Sequence, residues 1–140
     1  MAQWLFKQEP DCYGYADLER DGSTTWDGVN NPLALKHLRA CAAGDLAFFY
    51  HTGKEKAVVG VMEVAGVVPD AVDEKRVIVT VKAVRRLTNP VTLATVKADP
   101  AFAKWELVTQ ARLSVMPVTK AMWDRIEKYA AGTLKAKAKN

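Results

Sequence analysis

Cysteine is scarce in this chain of 140 residues: Cys12 and Cys41 are the two present. That is too few for the disulfide framework of a small secreted domain, and both read as reduced thiols. Long apolar runs are missing as well. The longest uninterrupted apolar-plus-glycine stretch, Ala57 to Met62, stops at Glu63, far short of the roughly 20 residues that cross a bilayer. The N-terminal Met1-Ala2-Gln3-Trp4-Leu5-Phe6-Lys7 meets charge before a signal-peptide apolar region can develop. Membrane and secreted readings are excluded, which leaves a cytoplasmic location, or a nuclear one in a eukaryote. Low-complexity linkers and internal repeats are also lacking, so the expectation is one domain.

Signatures of catalysis are equally sparse. No G-x-G-x-x-G follows a strand, and Gly53-Lys54-Glu55-Lys56 lacks the glycine spacing and the hydroxyl of a phosphate-binding P-loop. Cys12, His37, Cys41 and His51 make a zinc set by number, with His37 and Cys41 at i,i+4. Yet there is no C-x-x-C or H-x-x-x-H pair, and Cys41 fits better as a small apolar residue. Asp70, Asp73 and Glu74 read as a solvated turn. No group of residues satisfies the nucleophile–base requirement of an enzyme. Neither a metal nor a cofactor is expected.

What is present is the composition of a folded domain: 49% hydrophobic and 26% charged residues. The 20 Lys and Arg against 16 Asp and Glu give +4, a mild pointer to a polyanionic partner. Lys135, Lys137 and Lys139 carry three of those charges, leaving 17 basic against 16 acidic residues elsewhere. The body is nearly neutral, so binding through a broad basic face is disfavoured and a local pocket is favoured.

The pattern predicts a strand over Gln3 to Lys7 and a short helix over Tyr15 to Arg20. A second helix opens at Asn31-Pro32, the asparagine as N-cap and the proline at the first helical position. Leu35, Leu38 and Ala42 are its expected buried stripe and Gly44 its expected stop. Three strands follow, Leu46 to His51, Ala57 to Val68 and Val77 to Leu87, with Thr52 to Lys56 as a hairpin connection. Thr92 to Ala98 reads as helical and Arg112 to Val118 as a last strand. Lys120 to Ala131 forms a closing amphipathic helix with Met122, Trp123, Ile126 and Ala130 on one face. The sum is α+β: a curled sheet or small barrel flanked by helices. Trp4 and Trp123 belong to the core, while Trp105 cannot be placed.

Four strings stand out chemically. Trp4-Leu5-Phe6-Lys7-Gln8-Glu9-Pro10 ends an apolar strand in polar residues. Trp26-Asp27-Gly28-Val29-Asn30-Asn31 gathers an aromatic and amides ahead of a helix. Phe48-Phe49-Tyr50-His51-Thr52 runs from aromatic to polar, and Arg112-Leu113-Ser114-Val115-Met116-Pro117-Val118 closes the set. A nucleobase needs an aromatic face to stack on, worth roughly 1–3 kcal/mol per base. It also needs edge donors and acceptors, which Lys7, Gln8, Asn30, His51 and Thr52 supply.

Read in order, Lys7-x-Glu9-Pro10, Trp26-x-Gly28-Val29-x-Asn31, Phe49-Tyr50-His51-Thr52 and Arg112-Leu113-Ser114-Val115 closely resemble the EVE-domain family. The resemblance runs from Trp4 to about Ala131. It implies a PUA-like fold, a small bent β-barrel flanked by helices and related to the YTH readers of methylated adenine. It also implies non-catalytic recognition of a modified nucleobase in DNA or RNA, foremost a modified cytosine in DNA, turned out of its stack into an aromatic pocket. The alternative is a general RNA-binding PUA-like module without such a pocket. Gln8 and Thr52 depart from the serines usual in the family, and the larger Gln8 bears on which base fits.

The residues this assigns to ligand binding are Lys7, Gln8, Glu9, Trp26, Asn30, Tyr50, His51, Thr52, Arg112 and Ser114. Trp26 is the expected stacking wall. Lys7 serves a base carbonyl or a phosphate, with Glu9 as its alternative ion-pair partner. Asn30 serves the base edge, whereas Asn31 is explained as the helix cap. Residues 1–132 form the expected domain and 133–140 a flexible basic tail; the domain is expected to act as a monomer.

Overall fold

The computed structural model describes residues 2–26 and 29–135. Six strands form one mixed sheet: β1 (Gln3–Gln8), β2 (Ser23–Trp26), β3 (Leu46–His51), β4 (Ala57–Pro69), β5 (Val77–Thr92) and β6 (Val115–Pro117). The helices are α1 (Pro10–Tyr13), α2 (Tyr15–Asp21), α3 (Pro32–Ala40), α4 (Leu93–Ala98), α5 (Glu106–Thr109) and α6 (Lys120–Ala131), with a single 3-10 turn at Pro100–Phe102. The strand order is β2-β5-β4-β3-β1-β6. β1 runs parallel to β3 with Phe6 opposite Phe49 and Gln8 opposite His51. The other pairings are antiparallel.

The sheet is strongly bent. In a flat sheet, the four steps from β2 to β1 would separate them by about 19 Å. Instead the Trp26 ring of β2 lies 5.3 Å from Phe6 of β1 and 5.4 Å from Phe49 of β3. Register shifts between β4 and β5, and one between β3 and β4 at Phe49/Tyr50, supply the curvature. The hydrogen-bonded ladder ends at β2 and at β6, so the α+β fold is barrel-like and left open rather than closed.

Alternation sorts the side chains of β1 and β3 onto two faces. Phe6, Phe49 and His51 face the concave interior, where Trp26 and Tyr15 meet them. On the convex face Phe48 stacks on Trp123 of α6 at 3.7 Å and 12°, and Lys7 lies over the Tyr50 ring. Trp4 is buried and its indole N–H donates to Asp45, as a core tryptophan requires. Trp105 is also buried, at the N-cap of α5, with its indole N–H on the Pro117 carbonyl.

The structure corrects several boundaries. Helix α3 begins as expected, with Asn31 Oδ1 accepting from the N–H groups of Leu33 and Ala34. It stops at Ala40 rather than near Gly44. Cys41 N–H takes the Leu38 carbonyl, and Ala42 N–H turns to Asp45 Oδ2 at 2.9 Å, so the next helical hydrogen bond cannot form. Ala34 and Leu38 are the buried pair; Leu35 is half-buried and Ala42 exposed. The last strand spans three residues, since Arg112 sits in a turn in which Leu113 N–H donates to the Gln110 carbonyl. Strand β5 continues past Leu87 to Thr92, with Pro90 where the register jumps from Gly60↔Arg86 to Val58↔Val91. Of the expected tail, residues 136–140 lie outside the described residues. Thr133 and Leu134 N–H groups bond the Lys128 carbonyl at the end of α6. Among the described residues, no helix is long and apolar enough to cross a membrane.

Candidate functional site

Lys7, Gln8, Glu9, Tyr50, His51 and Thr52 sit at the C-terminal ends of the parallel pair β1 and β3, where alternation divides them, while Trp26 comes from the end of β2, Asn30 from the segment before α3, and Arg112 and Ser114 from the segment before β6. The concave group contains Trp26, Gln8 and His51. The Trp26 ring meets Phe49 edge-on and Phe6 at a tilt and is 3% exposed. This places it in the aromatic interior, with one border on a groove of about 340 Å³. That groove is also lined by Val29, Leu35, Leu38 and Arg76. Asp27 and Gly28, which belong to the same string, lie outside the described residues.

His51 is buried and uses both ring nitrogens. Its Nε2 accepts from the Tyr15 backbone N–H at 3.0 Å, so Nδ1 carries the proton of the neutral ring and donates to Glu55 at 2.7 Å. The imidazole ties the start of α2 to the β3–β4 hairpin. Gln8 is half-buried, its Oε1 accepting from Glu9 N–H. Glu9 is exposed at the N-cap of α1, its carboxylate 3.8 Å from the Cys12 thiol. Asn30 is exposed and held by Arg76, whose guanidinium donates to Asn30 Oδ1 and to the Val29 carbonyl, both at 2.6 Å. Arg76, itself a lining residue of that groove, thus fixes Asn30 from 46 residues away, and the sequence reading missed it.

The convex group contains Lys7, Tyr50 and Thr52. They line a cavity of about 230 Å³ under α4 and α5. Lys7 Nζ donates to the Ala111 carbonyl at 3.0 Å and stands 5.6 Å from the Tyr50 ring centre. Burial lowers the Lys7 ammonium from its ordinary value and pushes the Tyr50 hydroxyl up to about 12. Tyr50 thus stays a neutral donor at physiological pH. Ser114 is half-buried and its carbonyl accepts the Lys7 backbone N–H; Arg112 is exposed two residues away. Thr52 N–H donates to the Gln8 carbonyl and links the tips of β1 and β3.

Burial, with Asp45 adding to it, pushes the Cys41 thiol up to about 12, so it stays protonated and inert as a nucleophile. Cys12 is exposed. Among the described residues, no three His, Cys, Asp or Glu side chains are grouped to hold a metal ion.

An open, bent, mixed sheet with an aromatic interior and helices on its flanks defines a PUA-like α+β domain. Residues 2–129 match the EVE domain family, and the chain belongs to that family. A crystal structure of an Agrobacterium tumefaciens protein is 34% identical, covers 100% of both chains and has a TM-score of 0.89. An NMR structure from Rhodopseudomonas palustris is 39% identical, covers 96% of each chain and has a TM-score of 0.87. Human thymocyte nuclear protein 1 is 29% identical over 160 residues, which cover 88% of this chain and 71% of that protein. Its crystal structure in complex with 5-methylcytosine-containing DNA is similar at a TM-score of 0.83, with 28% identity over 93% of this chain and 98% of that chain.

Proposed function

We propose that this EVE domain is a non-catalytic reader of a modified base in DNA, foremost a modified cytosine, with Trp26 as the wall against which the base is held. The observation that carries this reading is the convergence of Trp26, Phe6 and Phe49 inside the bend, with polar side chains at the adjoining strand ends. The human relative crystallised with 5-methylcytosine-containing DNA supports it.

In this reading Gln8 and the Arg76-held Asn30 meet the base edge. His51 acts as a positioning residue, since both of its nitrogens are already used within the fold. Glu9 lies at the rim. Lys7, Tyr50, Thr52, Arg112 and Ser114 lie toward the opposite face and serve the backbone of the bound strand.

The energetics limit what such a site achieves. Extruding a base from a duplex costs a few kcal/mol, and less from a single strand. Stacking and two or three hydrogen bonds offset that with little surplus. One buried methyl adds about 0.8 kcal/mol, and discrimination by one such group reaches ~1–3 kcal/mol. The preference for the modified base is therefore tens of fold, not thousands.

The test is a binding panel of matched single-stranded oligonucleotides carrying cytosine or 5-methylcytosine, measured by fluorescence anisotropy for the wild type and Trp26→Phe. The smaller ring keeps an aromatic filling between Phe6 and Phe49, and a thermal melt confirms that the variant is folded. A reader loses most of its preference and several-fold of its affinity in the variant. Equal wild-type binding of both oligonucleotides, or a preference unchanged in the variant, would sink the proposal.

A further inference from the structure

The cavity on the convex side of β1 and β3 has a character of its own. Three lysines, Lys7, Lys56 and Lys97, line it from three separate elements. No carboxylate is among its described lining residues. Among the described residues, none of the three lysines forms an ion pair. Lack of an ion pair is ordinary at an exposed lysine of this chain, where Lys82 and Lys120 are the paired ones among the described residues; what sets this cavity apart is that one of its three, Lys7, is half-buried. The adjacent acid, Glu55, is engaged by His51 Nδ1, whose side chain belongs to the concave face.

The half-buried Lys7 carries the greatest cost. Removing an ammonium from water without a counter-charge is unfavourable. Its present partners, one carbonyl and one aromatic face, compensate incompletely. Lys56 adds a second sign. It holds a left-handed backbone at φ 47, which glycine or asparagine adopts more readily. The Leu93 N–H at the start of α4 fixes that turn by donating to the Lys56 carbonyl at 2.7 Å.

The geometry points to a phosphate-binding site in this cavity, separate from the base-holding site at Trp26; it deepens the reading of Lys7 and Thr52 as strand-backbone contacts and adds Lys56 and Lys97 to them. The phosphate oxygens face Lys7, Lys56 and Lys97, with Thr52 as an added donor. Leu93 and Leu107 supply an apolar wall for the carbon side of a phosphate ester. A phosphodiester of a bound strand and a free phosphate or phosphomonoester share this chemistry.

The experiment follows backbone amide shifts of the full chain during titration with inorganic phosphate at constant ionic strength. Saturable shifts are expected at residues 52–56 and at Lys97, with a Kd on the order of 1–10 mM. Lys56 and Lys97 are exposed, so Lys56→Ala with Lys97→Ala leaves the fold intact, which unchanged shifts elsewhere verify. That double variant binds phosphate at least ~10-fold more weakly, because losing even one charge-assisted contact contributes about that factor. Diffuse or unsaturable shifts, or equal binding by the double variant, overturn the site.

A base-free deoxyribose-phosphate oligomer is the second probe. If it moves the same amides with the same lysine dependence, the ligand is a strand backbone. If inorganic phosphate alone does so, the ligand is a small phosphate. Neither probe carries a base, so failure here is distinguishable from failure of the Trp26 reading.

Discussion

Gly60 shows how much a single position can fix. It lies where the register of β4 shifts, and a Cβ built there would stand 2.3 Å from Cε1 of Tyr15. The ring of Tyr15 fills the space that the missing side chain leaves, and its hydroxyl lies within hydrogen-bonding reach of the carbonyls of Val61 at 2.7 Å and Arg85 at 2.8 Å. One hydroxyl proton serves one of those carbonyls at a time. The bend of β4 against β5 is thus pinned at Tyr15, whose backbone N–H also holds His51. Gly60→Ala should cost about 1–3 kcal/mol, the range for overpacking a well-filled core. Urea unfolding measures it directly, and Tyr15→Leu combined with Gly60→Ala should recover part of the loss, because the clashing ring is gone. Neither residue stood out in the sequence: Gly60 is one glycine in a valine-rich run, and its partner is 45 positions away.

Among the elements, those with a strong local pattern were legible and those set by distant contacts were not. Strand Leu46–His51 and helix Lys120–Ala131 have the expected bounds because a short apolar run after Gly44-Asp45 and before Thr52-Gly53 marks the first, and a capped amphipathic pattern marks the second. Strand β2 was missed because Ser23–Trp26 is four residues long and earns its place by pairing with β5 and delivering Trp26 to the interior. Lys7 to Glu9 and Tyr50 to Thr52 were legible as residues at the ends of β1 and β3. Their division between two faces follows from strand parity, yet the sequence alone did not say which face the bend encloses. Helix α3 gives the element-scale prediction. It packs His37 against Trp4, with Nε2 buried and without a hydrogen-bond partner. Burial lowers the His37 pKa from its ordinary 6.5, Glu106 opposing and Lys36 adding slightly to the shift. The folded state then binds fewer protons than the unfolded one, so this contribution to stability is present above 6.5 and lost as pH falls below it. Wild-type stability in urea should fall between pH 7.5 and 5.5, and His37→Leu should fall less over the same interval. Parallel slopes would show that the docking of α3 is not the acid-sensitive contact.

At the scale of the molecule, the charge distribution separates how strongly nucleic acid is attracted from what is recognised. Three of the four net positive charges belong to Lys135, Lys137 and Lys139, and the rest of the chain carries 17 basic against 16 acidic residues. A nearly neutral body draws little non-specific attraction, so the proposed reading assigns recognition to the aromatic interior and to local lysines. The lysines of the terminus act without regard to sequence, since each phosphate contact releases counterions and adds up to about 0.7–0.9 to the salt slope. Removing residues 135–140 should therefore weaken oligonucleotide binding and flatten its dependence on salt by at most about 2–3 in log–log slope. The ratio between 5-methylcytosine and cytosine oligonucleotides should stay as it was, because Trp26, Gln8 and Asn30 are untouched. Anisotropy titrations at several salt concentrations on both oligonucleotides read the two quantities together. A preference that disappeared with the terminus would place recognition in the lysines and remove the reason for assigning it to the bend of the sheet.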